Sequence, residues 1–201
     1  KDMLEYCKRD TELTRRVALE LQEEGKDFSK ESYDLERKVR GIIDKQQENG
    51  FAFNINKAIG LLAELTDEQD ALERKSLEMF EPTKVELKTK TKYIPFNIAS
   101  RKQIAERLVK RGWKPKLKTE KDNIIINEAV LSKIKMPEAE MFNRYFLLQK
   151  RTGLLKSWIK ECTDSDRVHG KVLTLRTITG RMAHAVPNMA QVPAVYSPYG
   201  R

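Results

Sequence analysis

PEAEMFNRYFLLQKRTGLLKSWIKEC, residues 137 to 162, decides the fold class, because it predicts the strongest helix of the chain. Pro137 favours the first turn of a helix, where its missing N–H needs no partner and its fixed φ angle is already helical. The helix is expected to run to about Cys162. After Asp164 the residue pattern changes, so a boundary is predicted near residue 165.

Upstream of this helix, the sequence predicts further helices from their capping and terminating residues. Their expected ranges are 2–24, 33–48, 54–79 with Asn54 or Asn56 as the cap, 100–112 with Ser100 as the cap, and a short helix capped by Asn127. Four apolar side chains of the third helix are expected to point inward: Ile59, Leu62, Ala63 and Leu72.

The region after residue 165 has a different pattern. Residues 167–178, RVHGKVLTLRTI, alternate in polarity and are rich in β-branched side chains, which predicts two short strands or a ribbon. The chain is therefore predicted to be mainly α with a small β portion.

Composition excludes several classes of protein. The 201 residues are 39% hydrophobic and 34% charged, which is ordinary for a soluble domain. Neither a membrane span nor a signal peptide is visible, so an intracellular protein is expected. Cys7 and Cys162 are far apart and have no CxxC motif near them, which argues against a disulfide framework or a zinc site. The missing initiator Met and the end at Arg201 suggest a piece of a longer protein.

The net charge of +9 is concentrated in one segment, residues 84–121. This segment holds thirteen Lys or Arg against three Glu, a local charge of +10, interspersed with Tyr93, Phe96 and Trp113. Such a pattern is typical of a phosphate-binding surface. The alternative is a solvated lysine-rich face without a ligand. Binding to a membrane surface is less favoured, because no clean apolar face accompanies the charge.

Three short motifs near the end of the chain carry a resemblance to a known family. They are Arg167-Val168-His169, Thr179-Gly180-Arg181 and PNMAQVP at 187–193. In this order and spacing they resemble the start of the palm in family A DNA polymerases. The Ala-Gln pair followed by SPYG resembles the podoviral phage members in particular.

Upstream motifs fit the same family. ENGFAFN at 48–54, FNIASRKQIAERL at 96–108 and LQKRT at 148–152 resemble the polymerase thumb, and Tyr6 and Asp10 have the Tyr-x-x-x-Asp form of the third motif of the 3′–5′ exonuclease domain. The resemblance implies three regions: residues 1–25 as the last helix of an exonuclease domain, 26–165 as a helical thumb with the basic segment, and 166–201 as the beginning of an α+β palm.

The resemblance also implies roles for residues near the C-terminus. The minor groove offers hydrogen-bond acceptors at nearly equivalent places in all base pairs, so a donor there senses the shape of a pair without reading its sequence. Arg181, fixed by a tight turn at Thr179-Gly180, is expected to reach the primer-terminal pair. Asn188 and Gln191 are expected beside it, in a loop made rigid by two prolines.

Other candidate residues are expected to contact phosphates or a metal ion. Lys150 and Arg151 on the long helix would track the primer backbone, and Lys84, Lys88, Lys90 and Lys92 would grip phosphates directly. Tyr6 and Asp10, at i and i+4, would share one helical face, with Asp10 as a metal ligand and Tyr6 orienting a water.

The family joins a primer 3′-hydroxyl to a nucleotide with two Mg²⁺ ions held by palm aspartates, but no Asp or Glu follows Val186 here. The chain is thus expected to bind primer-template DNA without extending it, unless a second polypeptide supplies the fingers and the remaining palm. The alternatives are a non-catalytic DNA-binding module, one chain of a split polymerase, and a helical processivity factor. A phage-encoded protein would act in the cytoplasm of the infected bacterium.

Phage polymerases that recruit host thioredoxin carry a long insertion in the thumb. Only sixteen residues, Glu81 to Phe96, occupy the corresponding interval here. A connection this short cannot wrap a folded partner, so no thioredoxin dependence is predicted.

Overall fold

The computed structural model describes residues 2–86, 91–120 and 123–194, the side chains of residues 85 and 86 excepted. Within these ranges the chain is mainly α-helical with a few short strands, as predicted. The helices are α1 (Asp2–Glu24), α2 (Lys30–Asn49), α3 (Ile55–Met79), α4 (Arg101–Lys110), α5 (Glu128–Leu131) and α6 (Pro137–Lys160). The strands are β1 (Phe51–Ala52), β2 (Thr83–Glu86), β3 (Thr91–Ile94), β4 (Arg167–Val168), β5 (Lys171–Leu173) and β6 (Ala183–Ala185), and a 3₁₀ turn spans Met189–Gln191.

The chain divides into two compact units. One is Phe51–Val168, and the other combines Lys1–Gly50 with His169–Arg201. The division between the two units falls at Gly50 and Val168. Assignment of the segments to an exonuclease domain, a thumb and a palm stays a prediction. No helix in the described ranges is long and apolar enough to cross a membrane.

Side-chain caps define the starts of α3, α4 and α5. The side chains of Asn54, Ser100 and Asn127 each accept a hydrogen bond from a backbone N–H three residues further on, at the first turns of α3, α4 and α5. This bond satisfies a donor that has no partner within the helix, which explains why these residue types mark helix starts. The predicted caps at Ser100 and Asn127 are confirmed, and Asn54 rather than Asn56 caps α3.

The core of the Phe51–Val168 unit lies where α3 and α6 pack together with α4 and α5. Phe80, Phe96 and Phe142 form an aromatic cluster with ring centroids 4.5 to 6.0 Å apart. Ile104 from α4 and Leu131 from α5 are fully buried beside it. Burial of this apolar surface is the main force that holds the unit together.

The predicted inward face of α3 is partly wrong. Ile59 and Ala63 are exposed, Leu62 and Leu72 are half-buried, and the buried residues are Ala58, Leu65 and Ser76. The stripe that meets α6 repeats at spacings of three and four, and Ile59 and Ala63 lie just outside it. Polar residues occupy part of this stripe, so a search for apolar residues alone misplaces it.

Residues 167–178 contain two separate strands, β4 and β5, and not one ribbon. β4 pairs with β1, with Phe51 opposite Val168, whereas β5 pairs with β6, with Val172 opposite His184. Only His169 and Gly170 separate β4 from β5. The pattern predicted strands, but their partners lie elsewhere in the sequence.

Candidate nucleic-acid interface

A closed turn at Thr177–Arg181 holds the backbone of Arg181. The Gly180 N–H donates to the Thr177 carbonyl oxygen (2.9 Å), and the Arg181 N–H donates to Thr177 Oγ1 (2.8 Å). Gly180 has a φ of 72°, a conformation that glycine adopts without strain. The Arg181 side chain is exposed. A long cationic donor is therefore presented from a fixed backbone, as the sequence predicted for Thr179-Gly180-Arg181.

Thr177 is a residue that sequence reasoning missed. Its hydroxyl lies 3.1 Å from Thr179 Oγ1 and accepts the Arg181 N–H, so it closes the turn from inside. Thr179 and Gly180 thus have a structural role in presenting Arg181. The available signal was a hydroxyl residue four positions before the arginine, which is a common pattern for side-chain-stabilised turns.

A second rigid loop carries Asn188 and Gln191. The Val186–Pro187 peptide bond is cis, and Pro187 is fully buried. Asn188 Oδ1 accepts the Ala190 N–H at 3.0 Å and caps the 3₁₀ turn, whereas Gln191 is exposed. The Asn188 oxygen therefore stabilises the loop itself, and Gln191 faces solvent with an amide that both donates and accepts hydrogen bonds.

Gly170 lets this loop pack closely against the chain between β4 and β5. A Cβ atom at Gly170 would lie 2.5 Å from Met189 Cγ and 3.1 Å from the Pro187 carbonyl oxygen. Both distances are shorter than ordinary contacts, so any larger residue would displace the loop. Neighbouring His169 is also structural, since its Nδ1 lies 2.7 Å from the Gln47 carbonyl oxygen.

The two predicted phosphate-tracking residues of α6 have different surroundings. Lys150 is exposed. Arg151 is half-buried, and its Nε is buried without a hydrogen-bond partner among the described residues. Lys150 is therefore the one that projects fully from the helix, and the phosphate contacts of Lys150 and Arg151 stay a prediction.

The hairpin of β2 and β3 separates two of the four predicted phosphate-gripping lysines. Lys84 lies opposite Tyr93 in the antiparallel register, and Val85 lies opposite Lys92. Because directly opposed residues share a face and successive residues alternate, Lys84 and Lys92 lie on opposite faces of the hairpin. Lys88 and Lys90 are outside the described residues.

The arginines of segment 84–121 contact the protein rather than solvent alone. Arg107 donates to the Glu81 carbonyl oxygen and to Thr83 Oγ1. Arg111 forms an ion pair with the buried Glu138, and its guanidinium lies 5.0 Å from the centroid of the Phe80 ring. These contacts anchor the arginines to the core.

Arg101, the third arginine of the segment, lies 5.3 Å from the centroid of the Phe146 ring. The outward positive charge of the segment is thus carried mainly by lysines. In the part of the segment that the structure describes, the exposed lysines are Lys84, Lys92, Lys102, Lys110, Lys114, Lys116 and Lys118.

Tyr6 and Asp10 lie one turn apart on α1, as predicted, and both are exposed. No group of three or more His, Cys, Asp or Glu residues in the described ranges is arranged to hold a metal ion. Asp10 alone falls short of the ligand set that Mg²⁺ uses in proteins. The exonuclease role of Tyr6 and Asp10 stays a prediction.

Comparison with known proteins supports the resemblance carried by these motifs. The sequence model for DNA polymerase family A matches residues 62–201, and the chain belongs to this family. It is 25% identical to the DNA-directed DNA polymerase of Escherichia phage T7 over 239 residues, covering 86% of this chain and 34% of the relative. It is 33% identical to the DNA-directed DNA polymerase of Enterobacteria phage T3 over 122 residues, covering 56% and 17%.

Among solved structures, the chain is similar to the POL domain of Pol1 from M. smegmatis, in complex with a DNA primer-template and dNTP. The TM-score is 0.64 at 16% identity, over 79% of this chain and 26% of the other, a likeness that concerns the fold. The chain spans about a third or less of the length of each of these proteins. Family A polymerases use divalent metal ions.

Proposed function

We propose that this chain is the part of a DNA-directed DNA polymerase that binds primer-template DNA, and that the polymerase performs template-directed nucleotidyl transfer. Family membership supports the activity. The observation that carries the binding role is the turn at Thr177–Arg181, which fixes the backbone beneath an exposed guanidinium. A fixed donor suits the nearly equivalent acceptors of the minor groove, so Arg181 contacts the primer-terminal base pair and Gln191 assists it.

The basic segment supplies the contacts to phosphate. Its exposed lysines, with Lys150 on α6, bind duplex DNA without sequence preference. Binding therefore weakens steeply with salt, with a log-log slope of about 0.9 per neutralised phosphate. A fluorescence anisotropy titration of duplex DNA across salt concentrations measures this slope, and salt-independent binding would contradict the proposal.

Replacement of Arg181 tests the proposed contact. Arg181→Ala removes a charge-assisted hydrogen bond of roughly 1.5 to 3 kcal/mol, so primer extension by the full polymerase slows about tenfold or more. Arg176→Ala is the matched control, because Arg176 is also exposed and lies five residues earlier. Single-turnover extension on matched and mismatched primers measures the effect. Equal losses in both variants would mean that general charge, and not a specific contact, is responsible.

Proofreading and metal binding complete the proposal. Tyr6 and Asp10 contribute to a 3′–5′ exonuclease site, with Asp10 as one ligand of Mg²⁺. The other ligands, and those of the nucleotidyl-transfer site, come from elsewhere in the polymerase or from a second polypeptide. The enzyme acts in the cytoplasm of a bacterial cell.

The proposed polymerase does not depend on thioredoxin. Phe80 and Phe96, which flank the interval 81–95, have ring centroids only 4.5 Å apart, and the β2–β3 hairpin lies within this interval. The match to the phage T7 polymerase spans 239 residues and 86% of this chain, so part of the matched region of that polymerase has no counterpart here. The closeness of the two rings favours a short connection. Processivity on a long primed template should be unchanged by thioredoxin, and a large stimulation would overturn this part of the proposal.

A further inference from the structure

A pocket of about 380 Å³ opens in the Phe51–Val168 unit, beside the extended segment that follows α4. Its walls combine apolar side chains, among them Trp113, Leu117 and Ile134, with Lys114, Lys116 and Lys133. We call it the Trp113 pocket. Lys114 and Lys116 belong to the basic segment proposed to contact duplex DNA, whereas Trp113, Leu117 and Lys133 have no part in that proposal.

The apolar wall of the Trp113 pocket is held by backbone hydrogen bonds and core packing. The Trp113 N–H donates to the Leu108 carbonyl oxygen at 3.0 Å, and the Ile125 N–H donates to the Leu117 carbonyl oxygen at 3.1 Å. Trp113 packs against the core yet stays half-exposed, and Leu117 is 57% exposed. An aromatic surface and a large aliphatic side chain are thus accessible in a fixed position.

The cations of the pocket give it a preference for an anionic ligand. Lys114, Lys116 and Lys133 are exposed, and none of the three forms an ion pair with a described residue. The ligand that complements this pocket therefore combines a flat apolar face with closely spaced negative charges. A single strand of DNA has this combination in every nucleotide.

We infer that the Trp113 pocket binds an unpaired nucleotide of single-stranded DNA. The base lies against Trp113 and Leu117, and the flanking phosphates lie near Lys114, Lys116 and Lys133. Duplex DNA does not fit in the same way, because its bases are stacked on each other and present no free face. This inference rests on the proposed function, but it concerns a different part of the substrate, namely nucleotides that are not paired.

Tryptophan fluorescence provides a direct test. The chain has two tryptophans, and Trp158→Phe leaves Trp113 as the one reporter while keeping an aromatic ring near Phe53. Titration with an oligo-dT of about 12 nucleotides should quench Trp113, and an abasic strand of equal length and charge should bind about tenfold more weakly without quenching. Equal affinity for the two strands, or oligo-dT binding without quenching, would overturn the inference.

Substitution of Lys133, one of the three cations of the pocket, gives a second test and leaves the core unchanged. Lys133→Ser should weaken oligo-dT binding and lower the salt slope by about 0.7, as expected for one phosphate contact on a single strand. Lys75→Ser is the matched control, since Lys75 is an exposed lysine on α3 and does not line the pocket. The same losses in both variants would count against a specific site.

Titrations with duplex DNA and with an acidic peptide distinguish a failure of the proposed function from a failure of the pocket assignment. If neither duplex DNA nor oligo-dT binds, both the proposed function and the pocket assignment are wrong. If duplex DNA binds with the expected salt dependence while oligo-dT leaves Trp113 unchanged, only the pocket assignment is wrong. A peptide of alternating Glu and Phe that quenches Trp113 more strongly than oligo-dT would assign the pocket to a protein partner and overturn the inference.

Discussion

Removal of the Tyr145 hydroxyl is the smallest change that tests the packing of α3 against α6. Its side chain is buried, and its hydroxyl donates to Glu73 Oε1 on α3 at 2.7 Å. Tyr145→Phe removes the hydroxyl and keeps the ring, which packs edge-on against Phe146. The hydroxyl also accepts a hydrogen bond from Gln69 Nε2 on α3 at 3.5 Å, so the substitution isolates these two bonds between the helices from the apolar packing around them.

The expected loss follows from the environment of the bond. A hydrogen bond to a charged group contributes about 1.5 to 3 kcal/mol, but Glu73 is half-exposed and water replaces part of the lost contact. The free energy of unfolding should thus fall by about 1 to 2 kcal/mol at neutral pH.

Stability at high pH should depend on the same group. Burial, and then the hydrogen bond and charge of Glu73, raise the pKa of Tyr145 to about 12. The folded state therefore favours the neutral phenol more than the unfolded state does, whose pKa is about 10. The stabilisation is complete below about pH 10 and is lost as the pH rises through about 12, and Tyr145→Phe should remove this contribution.

Urea denaturation followed by tryptophan fluorescence measures both effects, because Trp113 and Trp158 lie in the same unit as Tyr145. Tyr93→Phe is the matched control, since Tyr93 is 65% exposed in that unit. The reasoning would be refuted by a loss below about 0.5 kcal/mol, the range of ordinary surface substitutions. An unchanged alkaline dependence in Tyr145→Phe would refute it as well.

The remaining expectations concern Gly170 and two lysines of the β2–β3 hairpin. Gly170→Ala should displace the loop at Met189 and slow primer extension about tenfold, because small misplacements of groups near the reaction slow it. Gly153→Ala is the control, since an added Cβ there meets no atom within 4 Å, and it should leave extension unchanged. Primer extension and duplex binding are measured on the same variant. A fall in binding as large as the fall in extension would contradict the expected effect of Gly170→Ala. Lys84→Ser and Lys92→Ser should differ in their effect on duplex affinity, because the two lysines lie on opposite faces of the hairpin. Equal losses in an anisotropy titration would contradict that reading.

The starts of α4, α5 and α6 could be predicted because their chemistry is local, whereas the Ser29 cap of α2 was missed and the predicted start at 33 lies three residues after the observed one. Ser100 and Asn127 each cap a helix through a residue three positions away. Pro137 begins α6 for a reason that also lies within one turn. Such signals involve only neighbours in sequence, and no knowledge of the tertiary fold is needed to interpret them.

Which basic residues contact the core could not be predicted, because it depends on partners that are distant in the sequence. Arg107 contacts Thr83, 24 residues away, and Arg111 pairs with Glu138. In the sequence these arginines look the same as the lysines beside them. The planar guanidinium stacks on rings and forms directed hydrogen bonds, whereas the lysine ammonium stays hydrated, so the arginines contact the core even where, as at Arg101 and Arg111, the residue is exposed.

The same distinction supports the proposed role of Arg181 in reading DNA. Arg181 is exposed and its backbone is fixed by Thr177, whereas the guanidinium of Arg111 forms an ion pair. Fixing the backbone removes part of the entropy that the side chain would otherwise lose on binding. The guanidinium keeps its donors for the ligand, and these donors act on any base pair of the correct shape. A rigid turn beneath an exposed arginine therefore provides affinity that is sensitive to geometry and indifferent to sequence.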